Sequence, residues 1–241
     1  MHLYLSPHND DVCFSVGNLV SRLGGHLVNL FTRSRYVAVN MELPSEERAR
    51  VEFISQLRRR EDQLFTEAVG VVRHDLGLWE PALMGREPFD LAGVEIEADA
   101  LSARLMPFIY SMLPSEDNPD LASLYCPMGI GGHRDHVSTL LAIRNAFGTL
   151  HRRYTVFLYE DLHYASNPRA RQDGVQRATS LFAGARLSAI VMPLNADESK
   201  RKMQLISLYA SQHPHVPSIA DFTPMSGLAS GLHEIVWKIS S

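Results

Sequence analysis

The 241-residue sequence holds only two cysteines, Cys13 and Cys126. Two thiols so far apart make no disulfide framework, and a reducing compartment, the cytoplasm, is the expected setting. Basic residues are not in excess either: 23 Lys and Arg stand against 27 Asp and Glu, a net charge of −4. A binder of nucleic acid or of an anionic membrane normally carries the opposite balance. No apolar run approaches the ~20 residues that span a bilayer. The first residues lack the basic-then-apolar pattern of a signal peptide, and no G-x-G-x-x-G or Walker A pattern follows the first apolar run. Repeats, low-complexity tracts and linker-like composition shifts are also missing. What remains is a chain of ordinary hydrophobic content, 45%, read as a single domain over residues 1–241.

Short apolar runs alternate with segments of helical periodicity. "HLYLS", "HLVNLFT", "VVRHDLGL", "LASLYCP", "TVFLYED" and "LSAIVMPL" read as strands, and "LHEIVWKIS" as a last strand at a sheet edge. Helices are expected over Asp10–Leu23, from an N-cap at Ser45 to Val69, over 90–113 with a break at Pro107, over Val137–Phe147, and over Ala196–Ser211 with Asn195 as N-cap. The run Arg58, Arg59, Arg60, Glu61, Asp62 reads as a solvated helix face with internal ion pairs. The alternation predicts a three-layer, Rossmann-like α/β/α fold on a mostly parallel sheet. Ligands of such sheets collect at the C-terminal ends of the strands.

Two polar clusters occupy such ends. "PHNDD" follows the first strand and carries His8, Asp10 and Asp11; "GIGGHRDHV" follows "LASLYCP" and carries His133, Asp135 and His136. Each pair three residues apart shares a face at a helix start. Two imidazoles and one carboxylate with an open fourth position describe a catalytic zinc site, and equally a non-haem iron site, so Zn2+ and Fe2+ both remain open. Adjacent aspartates cannot point the same way. If Asp11 is a ligand, Asp10 is free to act as a general base on water. If His136 is a ligand, His133 is free to stabilise an oxyanion or protonate a leaving amine, with Asp135 orienting one of the imidazoles. The bland alternative for the Asp-Asp pair is a helix N-cap.

Together, "SPHNDD" and "HRDHV" resemble the His-x-Asp-Asp and His-x-Asp-His motifs of the PIG-L/LmbE-like zinc-dependent N-acetylglucosaminyl deacetylases. "RRREDQLFTEAVGV", "YEDLHYA" and "LISLYASQ" resemble further segments of that family in the same order, so the resemblance covers most of the chain. It implies His8, Asp11 and His136 as metal ligands, Asp10 as general base, and His133 as oxyanion stabiliser and acid. Asn9 and Arg134 stand where family members often have proline, Val12 where many have glutamate, and Gly17-Asn18 where many have a Gly-Gly pair. No implied ligand is lost. Asn9 and Arg134 flank the implied metal and are expected to touch substrate or tune pKa values; the absent glutamate leaves membership of the best-known branch, and with it the usual sugar, open.

Loops at the same sheet edge supply candidate substrate contacts: Arg35, Trp79, Glu80, Arg86, Asp161 and His163, with Arg33, Tyr159 and Glu160 beside them. Trp79 next to Glu80 suits a sugar, whose recognition pairs an aromatic face with charged hydrogen-bond partners. His213 and His215 form a lesser, second candidate metal corner; Cys126 and Cys13 read as structural. The expected activity is metal-dependent hydrolysis of an N-acetyl or other N-acyl group on a small sugar or glycoconjugate. The alternatives are an amidase of a thiol conjugate or secondary metabolite, and a non-catalytic sugar- or nucleotide-binding module. Nucleic acid and a membrane span are not expected; a homo-oligomer is left open.

Overall fold

The computed structural model describes residues 1–112, 122–215, 217, 219 and 231–240, without the side chain of His213. Seven strands form one sheet: β1 (His2–Ser6), β2 (His26–Asn29), β3 (Val72–Asp75), β4 (Ser123–Pro127), β5 (Thr155–Tyr159), β6 (Arg186–Pro193) and β7 (His233–Ser240). Their spatial order is β3-β2-β1-β4-β5-β7-β6. Every pairing from β3 to β5 is parallel, while β7 runs antiparallel to both β5 and β6. The apolar C-terminal segment is therefore an interior strand, and β6 is the edge. The helices are α1 (Asp11–Leu23), α2 (Glu47–Val69), α3 (Val94–Ser111), α4 (Arg134–Leu150), α5 (Pro168–Leu181) and α6 (Ala196–Ile206). Among them α1 packs with α2 and α6, and α3 with α4, in layers over the sheet. The three-layer, mostly parallel fold expected from the sequence is the one observed.

Strand order reverses between β1 and β4, whose neighbours lie on opposite sides. Such a switch point opens a crevice at the strands' C-terminal ends, and the loops after β1 and β4 are the two that carry the polar clusters. Asn195 caps α6 in a full capping box with Glu198, as expected. Ser45 does not cap α2, which starts at Glu47 without a side-chain cap. Pro107 sits inside α3 without ending it. Helix α5 has no counterpart in the sequence reading, because it buries only Gly174 and Ala178 and shows no apolar stripe. Among the described residues no helix is long and apolar enough to cross a membrane.

The run on α2 is a buried face. Arg58, Glu61 and Asp62 are buried, and only Arg59 and Arg60 of the five point to solvent. Together with Ile54, Phe65 and Val69 they follow helical spacing, so α2 presents a half-polar stripe to the core. Asp62 accepts hydrogen bonds from Asn29 Nδ2 (2.6 Å) and the Tyr209 hydroxyl (2.9 Å), with Arg73 and Asp75 nearby. Burial pushes its carboxyl from 3.8 up to about 7, against these hydrogen bonds and Arg73, which favour the charge. A carboxyl raised in the fold stabilises fully below its unfolded pKa, and that contribution is lost as pH rises through the folded value. Between pH 4 and 8, wild-type protein is thus expected to lose a few kcal/mol relative to Asp62→Asn. Urea-unfolding midpoints of both proteins at the two pH values measure the difference; parallel pH dependence would contradict the assignment.

Candidate active site

Strand β1 delivers His8, Asp10 and Asp11 into a tight corner. Ser6 Oγ accepts the Val12 N–H (3.2 Å) and donates to the His8 carbonyl, tying strand end to helix start. Asp10 occupies the N-cap position of α1 yet makes no side-chain cap. Its Oδ1 accepts instead from Arg58 Nη2 at 2.8 Å, while Asp11 Oδ2 accepts the His8 backbone N–H at 2.7 Å. The adjacent aspartates diverge, and the helix-cap alternative fails.

Strand β4 delivers the second cluster through a 3-10 turn, Ile130–Gly132. Gly131 has φ +84°, and a Cβ there would lie 2.5 Å from the Tyr164 ring, so only glycine lets the two segments meet. Helix α5 braces this turn from behind: a Cβ on Gly174 would lie 2.6 Å from Ile130. His133 caps α4, its Nδ1 accepting the Asp135 N–H at 3.3 Å. The neutral ring then carries its proton on Nε2.

Three atoms of the two corners form a nearly equilateral triangle. His8 Nδ1 and Asp11 Oδ2 are 3.3 Å apart, Asp11 Oδ2 and His136 Nε2 3.3 Å, and the two nitrogens 3.4 Å. Ligands at about 2.0–2.1 Å in tetrahedral geometry are spaced by about this much. The opposite nitrogen of each imidazole is engaged: His8 Nε2 meets Asp135 Oδ2 at 2.8 Å, and His136 Nδ1 meets Asp161 Oδ1 at 2.6 Å. With the carboxylates taking N–H, the triangle-facing nitrogens carry lone pairs, the arrangement that a metal-binding imidazole needs. Burial lowers the His136 pKa, but Asp11 and Asp161 outweigh it and raise the value to about 9. The same carboxylates make the corner a strong seat for a cation, and the donor set fits a divalent metal. His133 brings a further nitrogen within 4.8 Å of those of His8 and His136. Its own pKa is pushed down to about 2 by burial, then by His8 and His136.

Arg58 is the residue that sequence reading missed. Its buried fork joins Asp10 Oδ1 to Glu80 Oε1 (3.0 Å) and Ser34 Oγ (3.2 Å). Burial works against its charge, but Asp10 and Glu80 hold its pKa above the ordinary value. The helical spacing of Ile54, Arg58, Glu61 and Phe65 was the available signal.

The site opens into a cavity of about 550 Å³. Of the expected substrate contacts, Arg35, Glu80, Arg86 and His163 line it, beside Asp10 and His133. Glu80 is committed to Arg58 and Ser34, Arg35 faces Glu47 at 3.4 Å, and Arg86 pairs with Glu97. Asp161 is fully buried behind His136 and does not face the cavity. Trp79 is 57% exposed and lies outside the cavity wall. Arg33 pairs with Glu52, Glu160 with Arg171, and the Tyr159 hydroxyl donates to the Leu5 carbonyl. His163 stacks on His215 with ring centroids 3.9 Å apart; His213, the other histidine of the second corner, has its side chain outside the described residues. Arg134 does not line the cavity and binds the 88–92 loop and Glu97. Asn9 is buried. Cys13 and Cys126 are buried free thiols whose pKa values burial raises, consistent with structural roles.

No family model matches the sequence. The chain is similar to a 2'-N-acetylparomamine deacetylase of Streptomyces fradiae, 28% identical over 220 residues that make up 87% of this chain and 72% of that protein. It is also similar to the structure of a deacetylase of teicoplanin biosynthesis in complex with teicoplanin, with a TM-score of 0.72 at 20% identity, covering 99% of this chain and 98% of that one. A further likeness is to the N,N'-diacetylchitobiose deacetylase of Pyrococcus horikoshii, with a TM-score of 0.58 at 15% identity over 99% and 82% of the two chains. The structural likenesses show that the chain shares the fold of these deacetylases, and the two motifs that resemble the PIG-L/LmbE-like pattern stand together at its switch point.

Proposed function

We propose that this protein is a divalent-metal N-deacetylase of an N-acetylated sugar or glycoconjugate. The observation that carries the reading is the 3.3–3.4 Å triangle of His8, Asp11 and His136, with Asp10 and His133 beside it in one cavity. The Streptomyces fradiae relative, whose name makes it a deacetylase of an N-acetylated compound, supports the acyl group, and the chitobiose and teicoplanin deacetylases support a sugar-bearing substrate. A teicoplanin deacetylase is known in a zinc-inhibited form, and Zn2+ and Fe2+ are the two candidate ions for the triangle.

His8, Asp11 and His136 hold the metal, with Asp135 and Asp161 fixing the two imidazoles. A divalent ion seated there polarises a carbonyl and acidifies water. Asp10 takes the proton from the attacking water as its oxygen adds to the amide carbon. His133 donates Nε2–H to the developing oxyanion. The C–N bond then breaks, acetate leaves, and the amine takes up a proton. The depressed pKa of His133 suits oxyanion stabilisation better than the acid role, so the proton held by Asp10 is the one returned. Arg58 pins Asp10 so that the carboxylate cannot swing onto the metal.

The test is acetate release from a panel of N-acetylated sugars, with N-acylated thiol conjugates as the competing class, by protein stripped with a chelator and reloaded with Zn2+ or Fe2+. Stripping is expected to abolish turnover and reloading to restore it. A non-catalytic module would release nothing under any loading. Asp161→Asn removes the acceptor that orients His136 and is expected to weaken metal affinity by about 10–100-fold. Competition with a chromophoric chelator reads this without any assay of turnover, and unchanged affinity would remove Asp161 from the metal site.

A further inference from the structure

Phe89 is 60% exposed, yet it lines the cavity beside the reacting centre. Its ring meets His133 edge-to-face at 5.4 Å and Tyr164 at 6.2 Å between centroids. At this exposure the two ring contacts leave much of the Phe89 surface uncovered, and that surface borders the cavity that His133 also lines.

The loop that carries Phe89 is not free to move it. The Arg134 backbone N–H donates to the Pro88 carbonyl at 2.7 Å, and the Arg134 guanidinium donates to the Asp90 and Ala92 carbonyls. Both chain neighbours of Phe89 are therefore tied to one residue, which directly follows His133 in sequence. Arg134 is buried, and Glu97 holds the same guanidinium. A proline at this position would lack both the N–H and the guanidinium. The tie sets the distance from Phe89 to His133 before any ligand arrives, and pre-organisation of this kind lowers the cost of binding.

We propose that Phe89 is a specificity-determining residue: its free face stacks on the apolar face of the pyranose ring that carries the acetamido group, and Arg134 positions it. The inference rests on the sugar deacetylase reading above. It moves the aromatic platform from Trp79, which lies outside the cavity, to Phe89.

Two measurements test it. In the first, kcat/KM is compared for N-acetylglucosamine, a ring substrate, and N-acetylethanolamine, which has no ring. Phe89→Ala is expected to lower the ratio for the ring substrate by about 10-fold or more, mainly through KM, and leave the acyclic one within about 3-fold, while Phe89→Trp keeps both near wild type. Equal loss on both substrates, or loss on neither, overturns the proposal. The second measurement needs no turnover: calorimetric binding of methyl N-acetyl-β-glucosaminide to Asp10→Asn protein with and without Phe89→Ala. Binding that Phe89→Ala weakens supports stacking even where no acetate is released, an outcome that would sink the deacetylase reading alone. Binding unaffected by Phe89→Ala, or absent from both proteins, overturns the stacking role.

Discussion

Asp10→Asn is expected to lower kcat by about 10²–10⁴, the range for loss of a general base, with KM within a few-fold and metal content unchanged. The substitution keeps the shape of the side chain and removes its basicity and its charge. Arg58 still has Glu80 and Ser34, and asparagine can still accept the Arg58 hydrogen bond, so the corner should keep its geometry. On the proposed reading Asp11→Asn, one residue away, should instead lose metal, because Asp11 Oδ2 is a vertex of the His8–Asp11–His136 triangle. Parallel metal analysis and steady-state kinetics separate the two roles. Near-wild-type turnover by Asp10→Asn would falsify the general-base assignment, and metal loss by that variant would reverse the division of labour between the aspartates.

The second large effect is expected in the core, at a break in helix α1. Helix α1 is broken at Val16, where φ is −136° and ψ 29°. The break frees backbone groups in the core, where unpaired polar groups are costly. A fully buried ion pair takes them up. Lys202 Nζ donates to the Phe14 carbonyl (2.8 Å) and to Glu234 Oε1 (2.8 Å), and the two Glu234 oxygens accept the Asn18 and Leu19 N–H groups at 2.9 and 2.8 Å. Glu234→Gln leaves Lys202 without its counter-charge and turns an amide donor toward backbone donors. Removing one partner of such a pair costs about 3–5 kcal/mol, or roughly 6–20 °C in Tm for a chain of this size. The exposed Arg22–Glu198 pair at 3.7 Å is the control, and Arg22→Ala should change stability by under about 1 kcal/mol. Differential scanning calorimetry of both variants checks the contrast; equal, small shifts would mean that the break holds without the ion pair.

Much of the candidate site's geometry was legible because it depends on local spacing. His8 and Asp11, and His133 and His136, lie three apart at strand-to-helix corners, and adjacency alone forces Asp10 and Asp11 apart. The parallel sheet was legible from apolar runs alternating with helical periodicity. Other features depend on contacts distant in sequence. Arg58 looked solvated because a charge run has no intrinsic face; only the packing of α2 against the Asp10 corner buries it. Helix α5 went unseen because its contact is made by Gly174 against Ile130, and a glycine contact leaves no apolar signature. The last strand reads as an edge from its place in the chain, but the antiparallel pairing of β6 on β7 puts it inside.

The sequence by itself determined the donor types, their grouping at two strand ends and the alternation that builds the sheet. These are properties of neighbouring residues, set by helix and strand periodicity. Only the tertiary structure decided which atoms converge and which carboxylates back them. It alone set Asp135 behind His8, Asp161 behind His136, Arg58 on Asp10, and Phe89 rather than Trp79 at the cavity. Those choices rest on the strand order at the switch point between β1 and β4, where segments more than a hundred residues apart come within 3.4 Å.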